Sequence, residues 1–250
     1  MDIYKDIKLF IPTKNRLDKP KTYNILKELG LSPIFVIEPQ EETKAKELGY
    51  NYILLDDNDR GITYARNFIL NYCRQNNIIY AVVLDDDINF FKRFFKSGKG
   101  GLRDNTVFID ALEYFIKAKN CGTMQYSQFG WCATEDVTYN KSIEVVHFLY
   151  LPQLERINYT ENTVEDKDFA LQLIFAGYKP FMLKRLCFDV PSIGTNAGGL
   201  NDAYASGRSA IWAQNFINKW GPEITKIFRE KNGNINVRIN WHNVRKLLKK

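Results

Sequence analysis

Histidine is nearly missing from this chain, with two in 250 residues, and the four cysteines (Cys73, Cys121, Cys132, Cys187) are scattered with no CxxC pair. That leaves no pattern for a zinc site or a disulfide framework, and the thiols read as reduced and mostly buried. Long hydrophobic runs are absent too: no uncharged apolar segment approaches the roughly 20 residues that cross a bilayer. The amino terminus, MDIYKDIKLF, carries charges where a signal peptide has its apolar centre, so the expectation is a cytoplasmic protein with no membrane partner. Glycine is lacking in FIPTKNR, the end of the first apolar run, which argues against enzymes that bind nucleotides on a glycine-rich first loop. There is no internal repeat, and no linker long enough to force a domain boundary.

What remains is an ordinary globular composition, 45% hydrophobic and 26% charged, with a net charge of +6. The charge is unevenly placed. Residues 226–250 hold eight Lys/Arg against one acid, Glu230, a local +7 that leaves −1 for the first 225 residues. A basic segment on a nearly neutral body suits a polyanion such as nucleic acid, and equally a solubilising terminus.

The apolar patterning alternates between strand and helix. IKLFIP, SPIFVIE, YNYILL and IIYAVVL read as four strands, separated by helices from about Lys19 to Leu29, over EETKAKELG and over RGITYARNFILNYCRQ, with glycine stops after the first two. This order predicts an α/β fold with a mainly parallel sheet covered on both faces. Further on, NTVFIDALEYFIKAK predicts a helix with Asn105 as its cap, CGTMQYSQFGWCAT and IEVVHFLYL predict strands, and VEDKDFALQLIFAGY a helix ending at Gly177. The glycine-rich GTNAGGLNDAYASGR leads into a last helix near SAIWAQNFINKW.

Ligands of open α/β sheets gather beyond the carboxyl ends of the strands. Here those ends are polar: Thr13 to Arg16, then Glu38, then Asp56 and Asp57, then Asp85, Asp86 and Asp87. On an extended chain Asp85 and Asp87 point one way and Asp86 the other, which makes Asp86 the most replaceable of the three. Neighbouring carboxylates repel, and a hard divalent ion, Mg²⁺ or Mn²⁺, bridged to substrate phosphates is the natural counter-charge. The bland alternative is a solvated acidic turn. Glu165, Asp166 and Asp168 open a helix, as helix-dipole complements or as a general base. Arg60, Arg66 and Asn67 flank another helix start, suited to a diphosphate or a base edge.

FIPTKNR, DDNDRGITYARN, VVLDDDI and VEDKDFALQLIFAGYKPF, in that order, resemble the nucleotide-sugar glycosyltransferases of GT-A fold, and among them the TET/JBP-associated glycosyltransferases that include base J glucosyltransferase and phage enzymes modifying hydroxymethylated pyrimidines in DNA. The resemblance covers Ile11 to about Tyr178, extending through GGLNDAY and RINW. It implies a GT-A type Rossmann-like domain over residues 1–225, with residues 226–250 as a helical basic extension. It implies a UDP-sugar donor bordered by Pro12, Thr13, Lys14 and Arg16, with Glu38 at the uracil or ribose and Arg60, Arg66, Asn67 and Asp86 facing the nucleotide. Asp87 and Asp85 match the metal-binding DxD, with His242 as a further ligand; Asp166 matches the general base of inverting members and Glu165 an acceptor or sugar contact. The implied acceptor is a hydroxymethylated pyrimidine in DNA. The residues that suit it are the basic tail and Lys92, Arg93, Lys96, Lys99 and Arg103 in the loop after the triplet, with Phe90, Phe91, Phe94 and Phe95 as a stacking surface or, for at least two of them, as core, and with the glycines at 98, 100 and 101 giving the loop a mobile, lid-like end. A glycan, lipid or protein acceptor is the alternative within the same chemistry.

Overall fold

The computed structural model describes residues 6–96, 100–191, 207–229, 233 and 235–249. Its amino-terminal half alternates as the patterning predicts: β1 (Ile7–Pro12), α1 (Lys21–Glu28), β2 (Pro33–Ile37), α2 (Glu42–Glu47), β3 (Tyr52–Leu54), α3 (Ile62–Gln75) and β4 (Tyr80–Leu84). The four strands run parallel in the order β3-β2-β1-β4. Because successive strand side chains face opposite ways, the two central strands divide the core. Leu9, Ile11, Val82 and Leu84 join the layer beneath α1, while Phe10, Ala81 and Val83 join the layer beneath α3, with Ile69, Leu70 and Cys73. The glycine stops hold: Gly30 and Gly49 take φ of +74° and +67°, letting the next amide close back on the helix. Asn77 does the same for α3 at φ +54°.

The second half completes one mixed sheet. It comprises β5 (Phe90–Phe94), β6 (Gly101–Arg103), α4 (Val107–Ala118), β7 (Gly122–Tyr126), α5 (Ser127–Gly130), β8 (Val137–Tyr139), β9 (Val146–Tyr150), α6 (Glu165–Phe175) and β10 (Phe181–Asp189). Strand order continues β4-β9-β7-β10-β5-β6, with β8 on β10. Here β9 is antiparallel to β4 and β7, and β10 is parallel to β7 but antiparallel to β5 and β8. This is the α/β architecture the resemblance implies, with its parallel character concentrated in the first half.

Several expectations shift. Asn105 is not the α4 cap; its side-chain oxygen accepts from the Phe91 amide at 2.9 Å, tying α4 to β5, and Thr106 occupies the cap position. FFKRF (Phe90–Phe94) is a strand of the sheet rather than a loop; Phe91 and Phe94 are buried, as the core reading of two of these rings expects, which leaves the stacking surface to Phe90 and Phe95. Positions 97–99, with Lys99 and the glycine at 98, lie outside the described residues, as does the stretch 192–206 containing GGLNDAY. The carboxyl-terminal segment is not simply helical. After α7 (Arg208–Trp220) come a hairpin, β11 (Thr225–Arg229) with β12 (Ile235–Ile239), and a short α8 (Trp241–Leu247). Ile224, Val237, Ile239 and Val244 pack with Leu171 and Ile174 of α6 and Phe216 of α7, and a core of this kind favours a hairpin that buries alternate residues. Fully buried Asp168 fixes the junction, accepting from Trp220 Nε1 at 2.7 Å and pairing with Lys219 at 2.8 Å. Among the described residues no helix is long and apolar enough to cross a membrane.

Candidate active site

The end of β4 is where the charges meet. Leu84 is the last strand residue, and Asp86 and Asp87 lie in a turn, so alternation stops before it can sort the triplet. Asp86 is the most enclosed of the three: Thr13 Oγ1 donates to it at 2.6 Å and Arg16 at 2.6 Å, while Arg16 also approaches Asp87 at 3.5 Å. Burial raises the Asp86 carboxyl's pKa against these two donors. The expectation that Asp86 is the replaceable member is therefore reversed; it is the residue that fastens the β1 end to the β4 end.

Asp85 turns the other way, to Arg66 of α3. The Arg66 guanidinium is almost wholly enclosed and forks, donating to Asp85 at 3.0 Å and to Glu165 of α6 at 2.9 Å, with the Tyr159 ring 5.6 Å beneath it. Burial pushes Asp85 up to about 6 despite Arg66, with Asp87 and Asp86 adding to the shift. Glu165 is pushed up to about 7 by burial first and by Asp166 next, again opposed by Arg66. One guanidinium thus joins the DDD triplet to the ED pair, residues eighty positions apart.

The other predicted positions spread around this centre. Pro12 is buried at the end of β1, and Thr13 continues the ladder by donating to Val36. Lys14 pairs with Glu38 at 3.5 Å and with Asp59, and Glu38, itself buried, accepts from the Asp59 amide at 2.9 Å, so the ends of β1 and β2 and the loop before α3 are locked together. Arg60 is exposed, paired with Asp57 at 3.2 Å and lying over Tyr64. Asn67 is spent on structure: its amide donates to the Tyr159 carbonyl at 2.8 Å and accepts from the Tyr159 amide at 2.9 Å. His242 is exposed on α8, and among the described residues no three His, Cys, Asp or Glu side chains gather as a metal site. Arg93 pairs with Asp110, Lys96 with Asp136 at 3.6 Å, and Arg103 lies over Phe90, so these cations already have protein partners. In the tail Lys226 and Arg238 face each other directly across the hairpin, both exposed, a like-charge pairing that costs stability unless a polyanion covers it.

Glu144 and Tyr126 are the residues sequence reasoning missed. Glu144 precedes β9, in a run read as continuous strand. Val145 instead takes φ +63°, and the Val146 amide closes on the Glu144 carbonyl at 2.6 Å in a three-residue γ-turn. A β-branched residue there is strained. The turn is pinned by Asp85, whose amide donates to the Val145 carbonyl at 3.0 Å, and by Thr123 Oγ1, which donates to the Glu144 carbonyl at 3.1 Å. Burial and the neighbouring Asp166 raise the proton affinity of Glu144, opposed first by the Lys167 charge and then by side-chain hydrogen bonds to Tyr126 and Ser142. The signal available in the sequence was a lone acid at the edge of an apolar run. Buried His147 meets the Tyr159 hydroxyl through Nδ1 at 3.0 Å and is held neutral by burial and Arg66.

Three comparisons bear on this geometry. A search of curated proteins finds no match. Among solved structures, a protein of STIV is 13% identical with a TM-score of 0.43, covering 73% of this chain and 83% of that one. A nucleotide-diphospho-sugar transferase from Desulfovibrio desulfuricans is 7% identical with a TM-score of 0.42, covering 71% and 79%. The CMP:2-keto-3-deoxy-manno-octonic acid synthetase complexed with CTP is 13% identical with a TM-score of 0.41, covering 84% and 99%. Likenesses this distant assign no residue and no substrate. The model of the TET-Associated Glycosyltransferase family, in contrast, matches residues 7–199, a span that takes in every strand of the main sheet and both carboxylate motifs. The chain therefore belongs to the TET-associated glycosyltransferases and is a glycosyltransferase.

Proposed function

We propose that this transferase moves a sugar, glucose being the family expectation, from a UDP-sugar to the hydroxyl of a 5-hydroxymethylpyrimidine in DNA, with inversion and with Mn²⁺ or Mg²⁺. The observation that carries the reading is the Arg66 fork, which brings Asp85 and Glu165, and with them the two motifs, to one guanidinium. Donor chemistry needs cations where the diphosphate departs, and acceptor chemistry needs a base on the opposite side.

The residues fit a divalent ion. Asp85 and Asp87 supply two hard carboxylate oxygens, and a magnesium-type ion is commonly held by one or two carboxylates with substrate phosphates completing its shell. When bound, such an ion neutralises charge on the departing diphosphate. Asp85, drawn up to about 6 by burial and by its two neighbouring aspartates, gains a counter-charge in that arrangement. Arg16, already shared between Asp86 and Asp87, adds a second positive charge at the leaving group. Asp166 accepts the proton of the acceptor hydroxyl, help typically worth roughly 10²–10⁴-fold. Glu165, held by Arg66, positions the acceptor or sugar beside it. Exposed Lys226, Arg229, Lys246 and Lys249 give the tail its polyanion-facing charge.

The test is a transfer assay with labelled UDP-sugars, Mn²⁺ or Mg²⁺, and DNA with or without hydroxymethylated pyrimidines. Label enters only the hydroxymethylated DNA and is lost on chelation. Donor turnover that labels no DNA contradicts the proposal and moves the acceptor to a glycan.

A further inference from the structure

Resting on that reading, we infer that a separate pocket walled by Glu144 and Tyr126 receives one unstacked pyrimidine of the acceptor strand, with the strand's phosphate held by Lys141 and Lys184. The pocket has a volume of about 300 Å³, at the lower limit of the roughly 300–1,000 Å³ usual for ligand sites. That is room for a single heterocycle and too little for a nucleoside diphosphate sugar.

Its lining has the chemistry of a base site. Met124 and Met182 make apolar walls, and Phe129, half exposed, and Trp241 of α8 offer ring faces on which a flipped base stacks. Gln125, Ser142 and Glu144 bring donors and acceptors to the same space for the edge of the base.

The charge at the lip points to a phosphate. Lys141 and Lys184 both line the pocket, and Lys141 sits with its ammonium 5.6 Å from the Trp241 ring. Burial first, then Arg245 and Lys184, weaken the Lys141 ammonium's hold on its proton, and only Glu135 acts the other way. Two ammonium groups lining one pocket repel each other until an anion arrives, and a phosphate satisfies both.

The pocket also adjoins the end of β4: Glu144 and Tyr126 line it, and the Val145 carbonyl next to Glu144 accepts from the Asp85 amide at 3.0 Å. The strained turn at Val145, pinned to Asp85, fixes Glu144 at the pocket wall nearest the β4 end, so a substituent on the bound base pointing along that wall approaches the carboxylates of the site.

The experiment compares wild type with K141A/K184A, Trp241→Ala and Trp241→Phe. It reads anisotropy of a hydroxymethylated single-stranded oligonucleotide across salt concentrations, KM and kcat for that DNA, and UDP-sugar binding by calorimetry. K141A/K184A lowers the salt slope by about 0.7, the value for one phosphate contact on a single strand, and raises the KM for DNA at least about tenfold. Trp241→Ala raises that KM about tenfold, in line with one lost stacking partner, and Trp241→Phe restores most of it. Donor affinity stays within about twofold in all three. DNA labelling by wild type, with KM and salt slope unmoved in the variants, overturns the pocket assignment alone. Donor binding by wild type with no DNA labelling overturns the DNA-modifying reading and this assignment with it.

Discussion

Replacing Arg66 with methionine keeps the stem and volume but removes the charge between Asp85 and Glu165. Removing one partner of a buried ion pair commonly costs about 3–5 kcal/mol, because the remaining charge is left uncompensated. The Arg66–Glu165 pair is enclosed on both sides, whereas a third of the Asp85 side chain meets solvent, which screens its share. The lower figure, about 3 kcal/mol at pH 8, is therefore expected. For a chain of this length that lowers the melting midpoint by roughly 6–12 °C, at about 2–4 °C per kcal/mol.

The loss depends on pH, with a definite sign. Without Arg66 the two carboxyls, already raised to about 6 and about 7 by burial, rise further, so the variant's native state holds protons the unfolded chain releases. Its stability falls more steeply as pH rises, and the gap to wild type narrows to about 1 kcal/mol near pH 5, where both carboxyls are neutral. Urea unfolding followed by tryptophan fluorescence at pH 5 and pH 8 measures the gap. A difference below about 1 kcal/mol at pH 8, or one that does not change between the two pH values, refutes the reasoning.

Asp86→Asn loses the charge that Thr13 and Arg16 serve and is expected to cost about 2–3 kcal/mol, with weaker donor binding; denaturant titration checks it, and neutral behaviour supports the simple alternation reading instead. Asp168→Asn leaves Lys219 without its buried partner, at a cost of about 3 kcal/mol, and in hydrogen exchange the protection lost is concentrated in α7 and the β11–β12 hairpin. Glu165, raised from about 4.5 to about 7, stabilises the fold below pH 4.5 relative to higher pH, and this contribution is lost as pH rises through 7. Glu165→Gln, which keeps an oxygen for Arg66, flattens that decline in a melting series from pH 4.5 to 8.

The parallel half of the sheet was legible because each strand is a short apolar run ended by polar residues, and each helix carries its own stop. The polar strand ends followed from the same pattern. What sequence could not show was partnership across long separations. That Arg66 serves Asp85 and Glu165 while the adjacent Asn67 serves only the Tyr159 backbone depends on how α3 docks against α6 and the loop before it. Glu144 was hidden because a strained turn, not propensity, ends its run; FFKRFF and the basic tail were misassigned because β5 and the terminal hairpin are recruited by distant partners, β10 and α6.

The proposed division of the site into a donor half at Asp85 and Asp87 and an acceptor half at Asp166 is tested most directly by calorimetry. UDP-sugar is titrated into wild type, Asp87→Ala and Asp166→Asn, each with and without Mn²⁺. Asp166→Asn binds donor within about twofold of wild type while losing roughly 10²–10⁴-fold in transfer, and Asp87→Ala loses the metal-dependent part of donor affinity. Donor binding abolished by Asp166→Asn and untouched by Asp87→Ala contradicts the assignment.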